Sequence, residues 1–277
     1  MLLNIIYLLA GFIILVYGAN LLVDGGAALA HRLKVPNIVI GLTVVAFGTS
    51  TPELVVNIIS SIEGSSALAL GNVLGSNIFN IMAILGVTAL FVPIGIKRST
   101  TWIEIPLAVL AAVLILVLAN GEPAGIITRA EGFCLLCFFA VFIAYTLFIA
   151  KRGGQETDEV NIKPYSLKKS VLFILLGLAG LVGGGRLLVD GAVSLAQMAG
   201  ISERIIGLTI ISIGTSLPEL ATSLIAARKK NADIAIGNVV GSNIFNTFLI
   251  LGASAGISPL KVTTDSVTDL WVNIGVS

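Results

Sequence analysis

The chain has 277 residues, of which 56% are hydrophobic and 11% are charged, and its formal net charge is +1. Soluble domains carry about 25% charged residues, so this chain has too few polar side chains to cover a water-soluble globule. The composition indicates an integral membrane protein whose partner is the lipid bilayer, and the net charge gives no basis for nucleic-acid binding.

Eight apolar runs are long enough to cross a bilayer, for which a helix needs about 20 residues. In chain order they lie at residues 4–22, 36–61, 67–94, 102–119, 130–150, 170–189, 205–227 and 232–257. The first run lacks the positive start and cleavage site of a signal peptide, so we interpret it as a retained helix. A further apolar run begins at Leu270. The pattern predicts an all-α membrane protein.

The polar connections predict the orientation of the chain. Those that follow the odd-numbered runs carry 12 Lys and Arg residues, and the opposite side carries 4. The positive-inside rule then places the N-terminus outside and the charged segment 151–169 in the cytoplasm. We expect a multi-pass protein of the cell inner (plasma) membrane, with 151–169 as a linker that has too little apolar content to fold alone.

Three blocks of the sequence recur at a constant offset of 166 residues. The pairs are LLVDGGAALA at 21 and LLVDGAVSLA at 187, GLTVVAFGTSTPEL at 41 and GLTIISIGTSLPEL at 207, and GNVLGSNIFN at 71 and GNVVGSNIFN at 237. They are identical at 7 of 10, 9 of 14 and 9 of 10 positions. Five runs separate the copies, and because five is odd the second copy crosses the membrane in the opposite sense. Inverted repeats of this kind are typical of secondary transporters.

The repeat also predicts the organisation of the chain. Residues 1–150 form a first half with five transmembrane helices, 151–169 the linker, and 170–277 an inverted second half with three helices and the start of a fourth. That makes eight helices plus the beginning of a ninth. Because the offset carries the fourth run onto residue 268, we expect two helices of the second half to be missing from this sequence.

Each GTSxPE block places a glutamate near the middle of an apolar run, as Glu53 and Glu219. A charged residue there costs about 2.5–3.5 kcal/mol on insertion scales, and no Lys or Arg lies at matching depth. The carboxyl groups are either protonated and structural, or ligands of a cation. Each preceding proline lacks an N–H and crowds the carbonyl four residues back. The carbonyls predicted to be freed or loosened are those of Gly48 and Gly214, with Ala46, Thr49, Ser212 and Thr215 around them.

The GNxxGSNIFN blocks add amide and hydroxyl groups. Their side chains at spacings of four lie on one helical face: Asn72, Ser76 and Asn80 in the first copy, and Asn238, Ser242 and Asn246 in the second. Such a stripe belongs either at a polar site or at a hydrogen-bonded seam between helices. The GxxxG spacing in each block predicts close packing of another helix.

These oxygen-bearing groups suit hard cations such as Ca²⁺ and Na⁺, and they include no soft ligand for copper or zinc. Two carboxylates balance the charge of one Ca²⁺, and several Na⁺ ions can use the same oxygens. Competition for one set of ligands that opens alternately to each side of the membrane is sufficient for exchange.

At these residues the sequence resembles the sodium/calcium exchanger family, through both GTSxPE and both GNxxGSNIFN blocks. The resemblance implies a ten-helix inverted-repeat fold in which helices 1 and 6 slide against the others. It implies no cofactor, only transported Ca²⁺ and Na⁺, with Glu53 and Glu219 as the main Ca²⁺ ligands, aided by the carbonyls of Thr49 and Thr215. The implied sodium ligands are Ala46, Ser50, Ser76, Ser212, Ser216 and Ser242, with Asn80 and Asn246 at the middle position. Many relatives carry Asp at the position of Asn246. The Asn of this chain removes that charge, which disfavours potassium co-transport and bears on the ion stoichiometry.

Other readings remain open. A Ca²⁺/H⁺ exchanger uses the same carboxylates, whereas an intramembrane enzyme would need a nucleophile or metal motif that is absent from the sequence. A passive channel fits the broken helices less well. Cys134 and Cys137 are interpreted as packing residues of a helix, and His31 as a loop residue. Asp24 and Asp190 are interpreted as interfacial or capping residues, and the less favoured alternative is a role in the ion entry path.

Overall fold

The computed structural model describes residues 2–92, 95, 100–121, 124–152, 165–201, 210 and 212–277. Within them the helices are α1 (Leu2–Leu33), α2 (Asn37–Thr49), α3 (Thr51–Ile62), α4 (Ser66–Phe91), α5 (Thr100–Ala119), α6 (Arg129–Arg152), α7 (Leu167–Met198), α8 (Ser212–Thr215), α9 (Leu217–Arg228), α10 (Ala232–Ile257) and α11 (Thr264–Val276). Two short strands, β1 (Ile126–Ile127) and β2 (Leu260–Lys261), pair antiparallel.

Six helices of this described part are long and apolar enough to cross a membrane, and a seventh span is added if α2 and α3 count as one bent span. The six are α1, α4, α5, α6, α7 and α10. The predicted all-α membrane fold is confirmed. The beginning of the predicted run 205–227 and most of the predicted linker 151–169 lie outside the described residues.

Many polar side chains are buried in the interior of the molecule, and many large apolar side chains are exposed on its surface. The apolar window of α10 is 94% buried, whereas that of α1 is 22% buried. The buried residues of α10 include the polar Asn238, Ser242 and Asn246, whereas α1 exposes apolar residues such as Phe12 and Ile13. A chain surrounded by lipid is stable in this arrangement because its polar groups must find partners within the protein.

Glycines allow α1 and α7 to pack at backbone contact. A Cβ atom at Gly18 would lie 2.7 Å from the backbone nitrogen of Leu181. A Cβ atom at Gly177 would lie 2.6 Å from the backbone nitrogen of Leu22. Small residues are the usual means by which membrane helices approach each other closely. The two helices therefore form one tightly packed pair.

The predicted GxxxG packing is found in the second copy. A Cβ atom at Gly237 would lie 2.9 Å from the Cα atom of Gly41, and one at Gly241 would lie 2.8 Å from the Cβ atom of Ala46. These contacts seat α10 directly against α2. At Gly71 and Gly75 no described atom comes within 4 Å of such a Cβ.

Local features shape the helices that reach the interior. The axes of α2 and α3 differ by 48° at the break between them, and Gly64, with φ +74°, makes the turn into α4. The side chain of Asn231 caps α10 by accepting a hydrogen bond from the backbone N–H of Ile234 at 3.2 Å. Wider π-helical turns occupy Asn80–Leu85 in α4 and Phe245–Ile250 in α10. Such turns are frequent at functional sites.

Candidate cation-binding site

Two helix breaks position the repeated glutamates. The chain leaves helical geometry at Ser50, with φ −80° and ψ 7°, and at Ser216, with φ −92° and ψ 4°. Glu53 and Glu219 then lie in the first turns of α3 and α9, and each residue is 1% exposed. A helix N-terminus favours a negative charge because its N–H groups point toward it. The sequence thus places a carboxyl group at the start of each half-helix, deep in the protein.

Hydrogen bonds from one copy of the repeat reach the glutamate of the other. Ser50 Oγ donates to Glu219 Oε1 at 3.0 Å, and Ser216 Oγ donates to Glu53 Oε1 at 3.4 Å. The structure therefore brings both carboxyl groups into one interior region. Within the described part of the chain neither glutamate forms an ion pair with Lys or Arg.

The two helices that carry GNxxGSNIFN supply further hydroxyl groups. Ser76 Oγ of α4 donates to Glu53 Oε1 at 3.4 Å, and Ser242 Oγ of α10 donates to Glu219 Oε1 at 3.4 Å. Ser216 Oγ also donates to Ser76 Oγ at 3.3 Å. Four of the predicted serines thus surround the glutamates, all of them at the Oε1 atoms.

Four other buried oxygens of the predicted ligands accept no hydrogen bond from any described residue. They are Oε2 of Glu53 and of Glu219, and Oδ1 of Asn80 and of Asn246. Each is buried, and the two members of each pair are related by the repeat. A buried polar atom without a partner costs free energy. Oxygens that lack a donor are the groups that a dehydrated hard cation takes as ligands, so we identify this set as the candidate cation site.

Two prominent side chains of the stripe hold helices together instead. Asn72 Nδ2 donates to Asn57 Oδ1 at 2.6 Å and to the backbone oxygen of Glu53 at 3.4 Å. Asn238 Nδ2 donates to Ser223 Oγ at 2.9 Å and to the backbone oxygen of Glu219 at 3.2 Å. These bonds tie α4 to α3 and α10 to α9, next to the glutamates.

The prediction that the prolines free carbonyls is wrong for Ala46 and Gly48. Both carbonyl oxygens accept backbone N–H groups at the end of α2, and Ser50 N–H donates to Ala46 O at 3.0 Å. The reason is that the chain turns tightly at Ser50, so the N–H groups of the break compensate for the one that Pro52 lacks. The helix is broken as predicted, but its carbonyls keep partners.

The remaining predicted ligands lie next to the breaks. Thr49 Oγ1 donates to Asn238 Oδ1 at 2.9 Å, which directs this hydroxyl toward α10. Thr215 ends α8, directly before the break at Ser216. Ser212 begins α8, and its side chain lies outside the described part of the structure.

Two further asparagines that the sequence patterns did not predict, Asn77 and Asn243, bond to the middle asparagines and are 2% and 4% exposed. Asn77 Oδ1 accepts a hydrogen bond from Asn246 Nδ2 at 3.0 Å, and Asn243 Oδ1 accepts one from Asn80 Nδ2 at 2.9 Å. The signal was present in the sequence, because GSNIFN contains two asparagines and both recur in the second copy.

A buried carboxyl group elsewhere in the membrane region was also missed. Glu104 of α5 is 1% exposed and accepts a hydrogen bond from the Tyr145 hydroxyl of α6 at 2.6 Å. Its second oxygen has no partner among the described residues. Its repeat counterpart is Leu270, so this acid is not duplicated.

The aspartates of the repeated LLVDG block lie in unlike surroundings. Asp24 accepts a hydrogen bond from Lys229 Nζ at 2.8 Å, in an ion pair whose side chains are about one-third exposed. Asp190 lies 4.0 Å from Arg186 on the exposed surface of α7. Cys134 and Cys137 are exposed free thiols on α6.

Comparison with known proteins gives consistent matches over the chain. The sequence profile described as "Sodium/calcium exchanger protein" matches residues 3–148 and 169–277. The putative antiporter CaxA of Alkalimonas amylolytica is 40% identical over 94% of this chain and 82% of its own length. The sodium/calcium exchanger MaX1 of Methanosarcina acetivorans is 33% identical over 95% of this chain and 86% of its own.

A solved structure has the same fold. The sodium-calcium exchanger NCX_Mj, soaked with 2.5 mM Na⁺ and 0.1 mM Ca²⁺, aligns with a TM-score of 0.84 and 32% sequence identity. The alignment covers 99% of this chain and 88% of that one. A further relative, the inner membrane protein YrbG of Escherichia coli (strain K12), is 38% identical over 95% of this chain and 82% of its own length.

Proposed function

Because the chain belongs to the sodium/calcium exchanger protein family, we propose that it exchanges Na⁺ for Ca²⁺ across the membrane. Its family is one of transporters rather than enzymes, and the names of two relatives, a putative antiporter and a sodium/calcium exchanger, support cation antiport.

The observation that carries the proposal is the set of buried oxygens without a donor at Glu53, Glu219, Asn80 and Asn246. Two carboxylates and two amide oxygens provide a charge of −2, which balances one Ca²⁺. Calcium takes six to eight oxygen ligands, and the hydroxyls of Ser76 and the other serines at the Oε1 atoms can complete the set. Several Na⁺ ions using the same oxygens would compete with Ca²⁺.

The inverted relation that the sequence predicts for the two copies supports alternating access. Each glutamate lies in the first turn of a half-helix, and we expect the two half-helices to run in opposite senses in the membrane, as in other transporters with midplane sites. The glycine-packed pair of α1 and α7 exposes many large apolar side chains. We propose that this pair moves as one body against the remaining helices and exposes the site to one side at a time.

The test is Ca²⁺ uptake into vesicles that contain the purified chain. An outward Na⁺ gradient is expected to drive Ca²⁺ into the vesicles, and a pH gradient of equal size is not. Uptake that follows the pH gradient alone would replace this proposal with a Ca²⁺/H⁺ exchanger, which uses the same carboxylates. A current far above transporter rates would instead indicate a channel.

We also propose that the protein lies in the cell inner membrane with its N-terminus outside and the segment 151–169 in the cytoplasm. The 12-to-4 distribution of Lys and Arg supports this orientation. A protease site inserted into 151–169 is expected to be cut in inside-out vesicles and protected in intact cells. The reverse pattern would overturn the orientation and leave the exchange activity untouched.

A further inference from the structure

The two asparagines beside the site are held by groups from both copies of the repeat. Asn77 Nδ2 of α4 donates to Thr247 Oγ1 at 3.1 Å and to the backbone oxygen of Asn243 at 3.5 Å. Asn243 Nδ2 of α10 donates to the backbone oxygen of Asn77 at 3.2 Å. Because each amide nitrogen is engaged with the opposite helix, the amide oxygen of each residue is fixed in direction.

Those fixed oxygens each accept one N–H from the middle asparagine of the other copy. Asn246 Nδ2 donates to Asn77 Oδ1 at 3.0 Å, and Asn80 Nδ2 donates to Asn243 Oδ1 at 2.9 Å. All four residues are at most 4% exposed. The result is a reciprocal set of hydrogen bonds between α4 and α10.

This arrangement uses the NH₂ end of each middle amide and leaves its oxygen without a donor among the described residues. A side-chain amide has an oxygen that attracts a cation and an NH₂ group that repels one. At Asn80 and Asn246 the NH₂ group donates to an asparagine of the other copy, and Oδ1 is left without a described donor, like the Oε2 atoms of the two glutamates. If the amide turned by half a rotation, its NH₂ group would point toward the ion.

We propose that Asn77 and Asn243 are positioning residues for the cation site, each holding the middle asparagine of the other copy with its oxygen toward the ion. They do not touch the ion themselves. The inference rests on the proposed function, because it assumes that Asn80 and Asn246 are ligands. It adds that Ca²⁺ affinity depends on a hydrogen bond made between the two copies.

The test is Ca²⁺ titration of the purified chain in detergent, with folding followed separately by size-exclusion profile and melting temperature. Asn77→Ala and Asn243→Ala are expected to raise the Kd for Ca²⁺ by about 10- to 100-fold, the usual effect of removing a residue that orients a metal ligand. Asn120→Ala is the matched control, because the exposed Asn120 side chain follows α5 and, among the described residues, bonds only to Leu116 O of that helix at 2.8 Å. It is expected to leave the Kd unchanged.

A double substitution distinguishes positioning from a general effect on the fold. In a chain that already carries Asn246→Ala, there is no amide left for Asn77 to orient. Asn77→Ala is then expected to add less than about a twofold change in Kd, since coupled residues are non-additive. Equal losses of affinity in both backgrounds would overturn the inference.

The isosteric Thr247→Val decides the question if the alanine variants do not fold. It removes one acceptor of Asn77 Nδ2 and is expected to raise the Kd by about threefold, as the loss of one neutral hydrogen bond does. Variants that fold and bind Ca²⁺ as the unaltered chain does would refute the positioning role alone. An unaltered chain that does not bind Ca²⁺ would refute the proposed function itself.

Discussion

Replacing Glu53 with glutamine should remove most of the Ca²⁺ affinity. The side chain is buried, its Oε1 atom accepts from Ser76 and Ser216, and its Oε2 atom has no described donor. Glutamine keeps the shape but removes one of the two charges that balance Ca²⁺, and it places an NH₂ group at one of the two oxygen positions. Removing one partner of a buried charge pair costs about 3–5 kcal/mol, which corresponds to about a 150- to 5,000-fold increase in Kd.

The increase can be measured as a loss of stabilisation by Ca²⁺. At a Ca²⁺ concentration of about 100 times its Kd, the unaltered chain gains about 2.7 kcal/mol of stability. At the same concentration, Glu53→Gln is expected to gain about 0.3 kcal/mol or less. Without Ca²⁺ the variant should be at least as stable as the unaltered chain, because it no longer buries two acidic groups side by side. Denaturation with and without Ca²⁺ therefore separates a lost site from a damaged fold.

Glu63→Gln is the matched control. Glu63 directly follows the last residue of α3, the helix that carries Glu53, and its side chain is exposed. It should retain the full Ca²⁺-dependent gain, and Glu219→Gln should lose as much as Glu53→Gln. A full Ca²⁺-dependent gain in both Glu53→Gln and Glu219→Gln would refute the assignment of the carboxylates as ligands.

Three further substitutions test separate features. Asn246→Asp adds a charge to the candidate site, so it should change the Ca²⁺ Kd or the number of Na⁺ ions exchanged per Ca²⁺ in vesicle flux measurements. Unchanged values would show that position 246 does not face the ion. Gly18→Ala would place a Cβ atom 2.7 Å from Leu181 N. It should lower the free energy of unfolding by about 1–3 kcal/mol and lower the transport rate more than the Ca²⁺ affinity. An unchanged rate and stability would refute tight packing of α1 on α7. Tyr145→Phe removes the hydrogen-bond donor to Glu104, so it should destabilise the chain by about 1–3 kcal/mol and leave the Ca²⁺ Kd unchanged. A changed Kd would connect Glu104 to the site.

Hydropathy located the helices best where polar groups mark both ends. The predicted run 232–257 matches α10 (Ala232–Ile257), which begins after the capping side chain of Asn231. The run predicted at 4–22 is only part of α1, which continues to Leu33. Its second part is rich in Gly and Ala that are buried within the protein. Those residues remain helical because they pack on neighbouring helices, which an average of side-chain hydropathy does not register.

The repeat predicted which residues of the site are equivalent, but not which residues touch. Both glutamates and four serines of the predicted set lie together, as their types indicated. The sequence did not reveal that Ser50 bonds to the glutamate of the other copy, nor that Ala46 O keeps a backbone partner. The first depends on how α3 and α9 meet, and the second on the tight turn at Ser50. Neither is a property of residue type or spacing.

The sequence by itself determined that the chain is a membrane protein with an internal repeat, and it predicted that the two copies lie in opposite orientations and that each brings one glutamate and an amide-bearing helix to the membrane interior. These statements rest on composition, on the offset of 166 residues and on the odd number of intervening runs. Only the tertiary structure decided which oxygens are left without donors and which asparagines orient them. The physical reason is that the deciding hydrogen bonds join residues 163 to 170 positions apart, and their geometry is set by helix packing rather than by local sequence.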